Sequence, residues 1–162
     1  MFARPFNPAR LVARFVRSER GTQLVELAIV LPIVLMLLGA AAEFGRFFYT
    51  YQTLAKATRT GARYLMTETA AGTMDATAKN LVVYGNQTGT GTPVISGLAS
   101  GNIRVTRTGG SNAFPERVTV RIEGYTYQPL FDLGKLIGSP TLSLRVPVSP
   151  STTMRYFSSI PS

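Results

Sequence analysis

LAIVLPIVLMLLGAAA, residues 27–42, is a run of 16 residues without a charged or strongly polar side chain. With Leu24–Glu26 it makes 19 residues, which as a helix at ~1.5 Å per residue cover roughly 28 Å. A bilayer hydrocarbon core is about 30 Å thick, so one such helix spans it. A helix buried in a soluble domain is the alternative, but this run offers water no polar face. The sequence therefore predicts a membrane span over about residues 24–42.

The segment before this span is basic. It holds five of the 17 basic residues of the chain, against a single acid, Glu19; the five are Arg4, Arg10, Arg14, Arg17 and Arg20. Because basic residues flanking a span stay on the cytoplasmic side, the N-terminus is expected in the cytoplasm and everything after Ala42 outside it. The leader thus carries +4 of the formal charge of +9, and the rest of the chain has 12 basic and 7 acidic residues.

A basic start followed by an apolar run is also typical of a secretory signal peptide. Residues 40–42 are all alanine and satisfy the small-x-small rule for signal peptidase. Cleavage there would release a secreted or periplasmic binding module that begins near Glu43. Signal peptides normally have a shorter apolar section without an acid, but the sequence leaves this alternative open.

The composition of the 162 residues excludes much catalytic chemistry. The chain has no histidine and no cysteine, so it has no Cys or His nucleophile, no zinc site of the usual type and no disulfide. No carboxylate pair or Ser/Lys arrangement has a credible spacing for catalysis. We therefore expect a protein that is not an enzyme and needs no cofactor.

Glu26 is an acid at the entrance of the apolar run. It is not part of a capping box, because with Thr22 as N-cap the acid would stand at position 25, which is Val25. If the chain is cut between Gly21 and Thr22, the new ammonium lies one helical turn before Glu26, on the same face. A single subunit could satisfy this pair internally; alternatively, in a bundle of parallel copies, Glu26 of one subunit could neutralise the N-terminus of its neighbour.

These residues belong to a longer block that resembles a known family. Residues 20–65, RGTQLVELAIVLPIVLMLLGAAAEFGRFFYTYQTLAKATRTGARYL, are similar to the N-terminal part of TadE-like proteins, which are pseudopilins or minor pilins of the tight adherence (Tad, or Flp) type IV pilus. The positions that fit are Arg20, Gly21, Val25, Glu26, Ala28, Pro32 and Gly61-Ala62-Arg63-Tyr64.

The resemblance implies a class III signal peptide that a prepilin peptidase removes after Gly21. It also implies a bacterial inner-membrane protein with an extracytoplasmic head that enters an extracellular pilus, in an adhesion and biofilm context. Its partners would be the lipid bilayer, the prepilin peptidase, other pilins and an inner-membrane assembly platform. No nucleic acid and no small-molecule substrate are expected.

The helix is expected to continue past the span, over residues 22–66. Pro32 removes one helical hydrogen bond, and whether it gives a harmless bend or a local melt used in assembly stays open. Beyond Ala42 apolar residues recur at helical spacing, and the aromatic ones suit an outer membrane interface. Lys56, Arg59 and Arg63 form a basic ridge, either a solvated face or a surface for an acidic partner.

The remaining residues predict a sheet-rich head. A Gly/Thr-rich connection covers 67–101, with a short helix at 75–83, and residues 102–162 form an antiparallel sheet with alternating strands at 103–108, 117–123 and 141–148. GGSN at 109–112 suits a turn, and Pro147 suits an edge strand. Tyr125, Tyr127 and Phe131 are either an exposed contact patch or aromatic packing around a turn. The predicted fold is α+β and pilin-like, a long N-terminal helix packed against a small antiparallel sheet.

Overall fold

The computed structural model describes residues 19–67, 74–110, 115–131, 133–136, 138–139, 143 and 145–156. The chain divides into two compact units, Met1–Ala42 and Glu43–Ser162. Most of the predicted leader and the second half of the predicted turn at 109–112 lie outside the described residues.

Helix α1, Glu19–Thr67, is the longest element and supplies residues to both units. The predicted long helix is confirmed, and it begins three residues earlier than expected. Pro32 lies inside it. Gly21, which precedes the expected helix start at about Thr22, lies in the first turn of α1.

In the first unit, the apolar side chains of α1 have no protein cover. The large apolar residues between positions 24 and 38 are each 41–67% exposed. This part of α1 is long and apolar enough to cross a membrane, with a mean hydropathy of 2.6. It is therefore a candidate span rather than the core helix of a globular domain.

The main sheet of the second unit has three antiparallel strands, β1 (Ile103–Gly110), β2 (Pro115–Ile122) and β5 (Ser151–Arg155), in the order β1-β2-β5. Val105 lies opposite Val120, and Val118 lies opposite Met154. Side chains alternate between a covered face and a solvated face, as expected for a sheet with one buried side. Strand β1 contains the first predicted strand, and β2 contains the second except for its last residue, Glu123.

Shorter elements complete the second unit. They are helix α2 (Asp75–Tyr84), where a helix at 75–83 was expected, a 3-10 turn (Ser100–Asn102), strand β3 (Tyr125–Thr126), helix α3 (Leu133–Leu136) and strand β4 (Pro147–Val148). Strands β3 and β4 pair antiparallel as a separate two-stranded sheet. Helix α2 ends at Gly85, whose φ of 72° is the left-handed conformation that glycine adopts at helix ends.

The C-terminal part of α1 covers the main sheet. Its buried Leu54, Ala62 and Leu65 join the core side chains of β1, β2 and α2. Helix α1 packs closely at Gly61, where an added Cβ would lie 2.6 Å from Val82 Cγ2 and 3.3 Å from the carbonyl oxygen of Ala78. The α+β fold with a long helix against a small antiparallel sheet is confirmed.

The third strand of the main sheet differs from the prediction. The alternating segment 141–148 was expected to form it, but within the described part of that segment only Pro147–Val148 is strand, and it pairs with β3. The third strand is β5, whose core-facing residues are Thr152 and Met154. Thr152 has its hydroxyl 2.9 Å from that of Thr58 on α1. Because the inward-facing Thr152 is polar, the sequence of β5 does not show the alternation of apolar and polar residues that marks a strand.

Candidate functional site

The residues that the sequence links to processing lie at the start of α1. Gly21 is half-buried, and Thr22 and Glu26 are exposed. Because Glu26 follows Thr22 by four helical positions, both lie on the same face. Glu26 makes no salt bridge with any other residue of the described part of the chain. Its carboxylate is thus available for a partner outside that part.

The surface beside Glu26 is apolar. Leu24, Val25 and Leu27 are each more than half exposed, as are Ile29 and Ile33 further along. An ionised carboxylate next to such a surface is costly in lipid unless a cation or a polar group meets it. The chemistry of this region is therefore that of packing against lipid or other apolar helices, with one charge that needs a partner.

A second, buried carboxylate lies at the start of the second unit. Glu43 is 1% exposed and accepts three hydrogen bonds. Oε1 accepts from the Tyr127 hydroxyl at 2.5 Å and from the Leu130 backbone N–H at 3.2 Å, and Oε2 accepts from the Phe131 backbone N–H at 3.3 Å. Arg46 Nη1 lies 3.8 Å from Oε2. These contacts tie the segment 127–131 to helix α1.

The protonation states of this cluster follow from its contacts. Burial raises the pKa of Glu43, but the hydrogen bonds from Tyr127, Phe131 and Leu130, together with the charge of Arg46, outweigh it and lower the pKa overall. Burial, followed by the hydrogen bond to Glu43, raises the pKa of Tyr127 to about 12. At neutral pH the acid is therefore ionised, and the phenol stays a donor.

Only one member of the predicted aromatic cluster is exposed. Tyr125 and Tyr127 belong to the core, and the ring of Tyr127 makes an edge contact with Phe47 at 5.3 Å. Phe131 is 62% exposed and its neighbour Leu130 is 70% exposed. An exposed patch of all three aromatics is therefore wrong, because the two tyrosines pack inward.

The aromatic residues of α1 just after position 42 also divide into two sets. Phe47 packs against the core, whereas Phe44, Phe48, Tyr49 and Tyr51 are exposed. The rings of Phe44 and Phe48 stack at 6.5 Å. An exposed aromatic band directly after an apolar run fits the predicted membrane interface.

The basic ridge of α1 is exposed along its whole length. Lys56, Arg59 and Arg63 are all exposed. Arg59 and Arg63 line a surface groove together with Thr60, Met66 and Met154. This placement agrees with either a solvated face or a docking surface, so the contact with an acidic partner stays a prediction.

Glu43 is the functional candidate that sequence reasoning missed. The signal for it was an acid at the first position after the apolar run, in the middle of a helix with aromatic spacing. That signal marked Glu43 only as a cleavage boundary, because the sequence gives no means of pairing it with Tyr127, 84 positions later. Among the described residues there is no group of three or more His, Cys, Asp or Glu that could hold a metal.

Comparison with known proteins gives one match. Residues 21–63 match the model of the TadE-like protein family, which confirms the predicted resemblance over this segment. The matched segment starts at Gly21, contains Glu26, Pro32 and Glu43, and ends at Arg63. This family is structural and non-enzymatic. Neither curated proteins nor solved structures gave a match.

Proposed function

From its TadE-like N-terminal segment and its exposed apolar helix, we propose that this chain is a membrane-anchored minor pilin, or pseudopilin. In this proposal a prepilin peptidase removes the leader after Gly21, and the mature chain takes part in assembly of a Tad (Flp-type) pilus for surface adhesion. The observation that carries the proposal is the family match over residues 21–63, on a helix whose large apolar side chains between positions 24 and 38 are exposed.

The exposed apolar stretch of α1 supports anchoring of the subunit in the membrane before it is assembled into a pilus. The arginine-rich leader orients it with the N-terminus in the cytoplasm and the head outside the inner membrane. Within a pilus the same apolar stretch would pack against the equivalent helices of other pilins. The partners are thus the bilayer, the peptidase, sibling pilins and the assembly platform in turn.

Glu26 aligns neighbouring subunits during assembly by pairing with the N-terminus of the adjacent copy. After cleavage, Thr22 carries a free ammonium, and the carboxylate of Glu26 on a neighbouring copy meets it where a low dielectric strengthens the attraction. The absence of a salt bridge to Glu26 within the described chain supports this role. Gly21 contributes by resisting helix formation, since the first turn must unwind to enter a protease cleft.

The test separates processing from assembly. Glu26→Gln in the native host should leave leader removal intact, because the cut lies on the other side of Thr22, and should abolish or strongly reduce pili. Glu123→Gln, an exposed acid of the second unit, is the matched control and should leave both unchanged. Normal piliation with Glu26→Gln contradicts the assembly role.

The alternative is a binding module that signal peptidase releases near Ala42. In the structure both Gly21 and residues 40–42 lie within helix α1, so the helix does not distinguish the two cleavage sites. N-terminal sequencing of the mature protein distinguishes the two functions. A start at Thr22 supports the pilin, and a start near Glu43 supports the released module.

A further inference from the structure

We propose that Leu130 and Phe131 form a docking surface of the head for the outer leaflet of the bilayer that α1 spans. The occupant is the headgroup–acyl boundary of that leaflet. This inference rests on the membrane anchoring in the proposed function, and it is independent of leader cleavage and of pilus assembly.

The first observation is the exposure of two apolar residues in a segment that is held in place. Leu130 and Phe131 are 70% and 62% exposed, although large apolar side chains gain from burial. Their backbone N–H groups are both bound by the buried carboxylate of Glu43. The segment is thus fixed with its apolar side chains in the solvent, which is the arrangement of a contact surface rather than of a frayed loop.

The second observation is the position of the clamp along the chain. Glu43 is the first residue after the apolar run 27–42, so in the proposed anchoring it stands at the outer end of the span. The clamp therefore fixes Leu130 and Phe131 to the one turn of α1 that lies at the membrane interface.

The third observation is the chemistry of the surroundings. Phe44 and Phe48, which follow Glu43 on α1, are exposed and their rings stack, and exposed aromatic residues are typical of an interfacial belt. Arg46 and Lys135 are exposed cations close in sequence to the two sides of the clamp. Long cationic side chains of this kind reach headgroup phosphates while their stems lie along apolar surface.

A competing occupant, a second copy of the chain, is less well supported by these observations. An interface between copies would need a matching apolar surface on the partner, whereas a leaflet accepts any exposed apolar pair at the right depth. Side chains that bind at an interface sit about 5–10 Å into the headgroup–acyl boundary. Two residues at the end of a span suit that depth.

The chain contains no tryptophan, so one introduced indole reports its own surroundings. The full chain carrying F131W is reconstituted into vesicles of phosphatidylethanolamine and phosphatidylglycerol, with and without bromine on the upper part of the acyl chains. We expect a blue-shifted emission that brominated lipid quenches and that aqueous acrylamide quenches poorly.

Two further variants provide controls in the same vesicles. V94W places the indole at an exposed site whose backbone N–H donates to the carbonyl of Val83 in α2. Helix α2 packs against α1 at Gly61. Gly61 lies about 27 Å along α1 from Glu43, at ~1.5 Å per residue. The V94W indole should be quenched by acrylamide and not by bromine. L35W lies within the span and should be quenched by bromine, which reports anchoring by itself.

The outcomes separate the claims. Bromine quenching of L35W without quenching of F131W, in a chain whose circular dichroism is that of the parent, overturns the docking surface and leaves the anchoring intact. Failure of both contradicts the anchoring as well. An F131W emission that shifts with protein density and is insensitive to bromine assigns the surface to a second copy and overturns the proposal.

Discussion

The buried carboxylate of Glu43 should be a main source of stability for the second unit. Glu43→Ala removes the acceptor of the Tyr127 hydroxyl, which is 3% exposed and cannot exchange its lost partner for water at no cost. A hydrogen bond to a charged group contributes about 1.5–3 kcal/mol, and leaving a buried donor unsatisfied costs roughly 1–3 kcal/mol. The variant also removes the acceptor of the backbone N–H groups of Leu130 and Phe131, whose bonds to Glu43 are part-buried. We expect the free energy of unfolding to fall by about 3–5 kcal/mol.

Arg46→Gln is the matched control for this variant. It removes the 3.8 Å ion pair to Glu43 but leaves all three hydrogen bonds. Because the Arg46 side chain is about half exposed, that pair contributes no more than about 1 kcal/mol. The assay is urea unfolding of the detergent-solubilised full chain, followed by near-ultraviolet circular dichroism of the tyrosines.

A domain of this size has about 5–15 kcal/mol of stability in total, so the loss expected for Glu43→Ala should be plain from the unfolding midpoint. A change below about 0.5 kcal/mol, the range of neutral surface substitutions, would refute the clamp. Equal losses for both variants would show that the ion pair, and not the hydrogen bonds, holds the segment.

Three further predictions concern the second unit. Gly45→Ala should raise the free energy of unfolding by about 1 kcal/mol, because alanine has a higher helix propensity and the added Cβ meets no other atom. Gly61→Ala should lower the free energy of unfolding by roughly 1–3 kcal/mol, because its Cβ would overlap Val82. Urea unfolding compares the two variants. Arg155 lies directly opposite Arg117, so Arg155→Glu should raise the thermal midpoint by replacing a repulsive pair, a gain of roughly 0.2–1 kcal/mol. Because folding raises the pKa of Tyr127 to about 12, the protonated phenol contributes fully to the free energy of unfolding below pH ~10. As the pH rises towards 12, about 2–3 kcal/mol of that stability should be lost. Urea unfolding at several pH values should show this decrease, and Tyr127→Phe should make it smaller.

Each of these results has a contrary outcome. Equal free energies of unfolding for Gly45→Ala and Gly61→Ala would show that α1 and α2 can move apart to accept the added Cβ without loss of stability. A lower midpoint for Arg155→Glu would mean that the cross-strand register does not bring the two guanidinium groups together. An unchanged alkaline slope in Tyr127→Phe would assign that slope to other groups.

The sequence predicted those parts of the fold that depend on local pattern. The apolar run, without any polar face, sufficed for α1, and strict alternation sufficed for β1 and β2. Strand β5 was missed because its inward residue Thr152 is polar and gains its partner, Thr58, from a helix 94 positions earlier. Within the described part of residues 141–148 only Pro147–Val148 is strand, and Pro147 cannot donate to a ladder.

The candidate sites follow the same division. Gly21, Thr22 and Glu26 were predicted from their spacing together with the resemblance to TadE-like proteins, and their roles stay predictions. Glu43 could not be assigned a role from the sequence, since its partners come from a segment that only the tertiary fold brings to α1. Exposure of Phe131, in contrast to burial of Tyr127, likewise depends on that clamp and not on residue type.

The mature N-terminus of the chain in native membranes tests the central claim most directly. Intact-mass measurement of the purified envelope protein should give a chain that begins at Thr22, with residues 1–21 removed. A mass that includes the leader, or a terminus near Glu43, would contradict cleavage after Gly21 and with it the pairing of Glu26 with a neighbouring N-terminus.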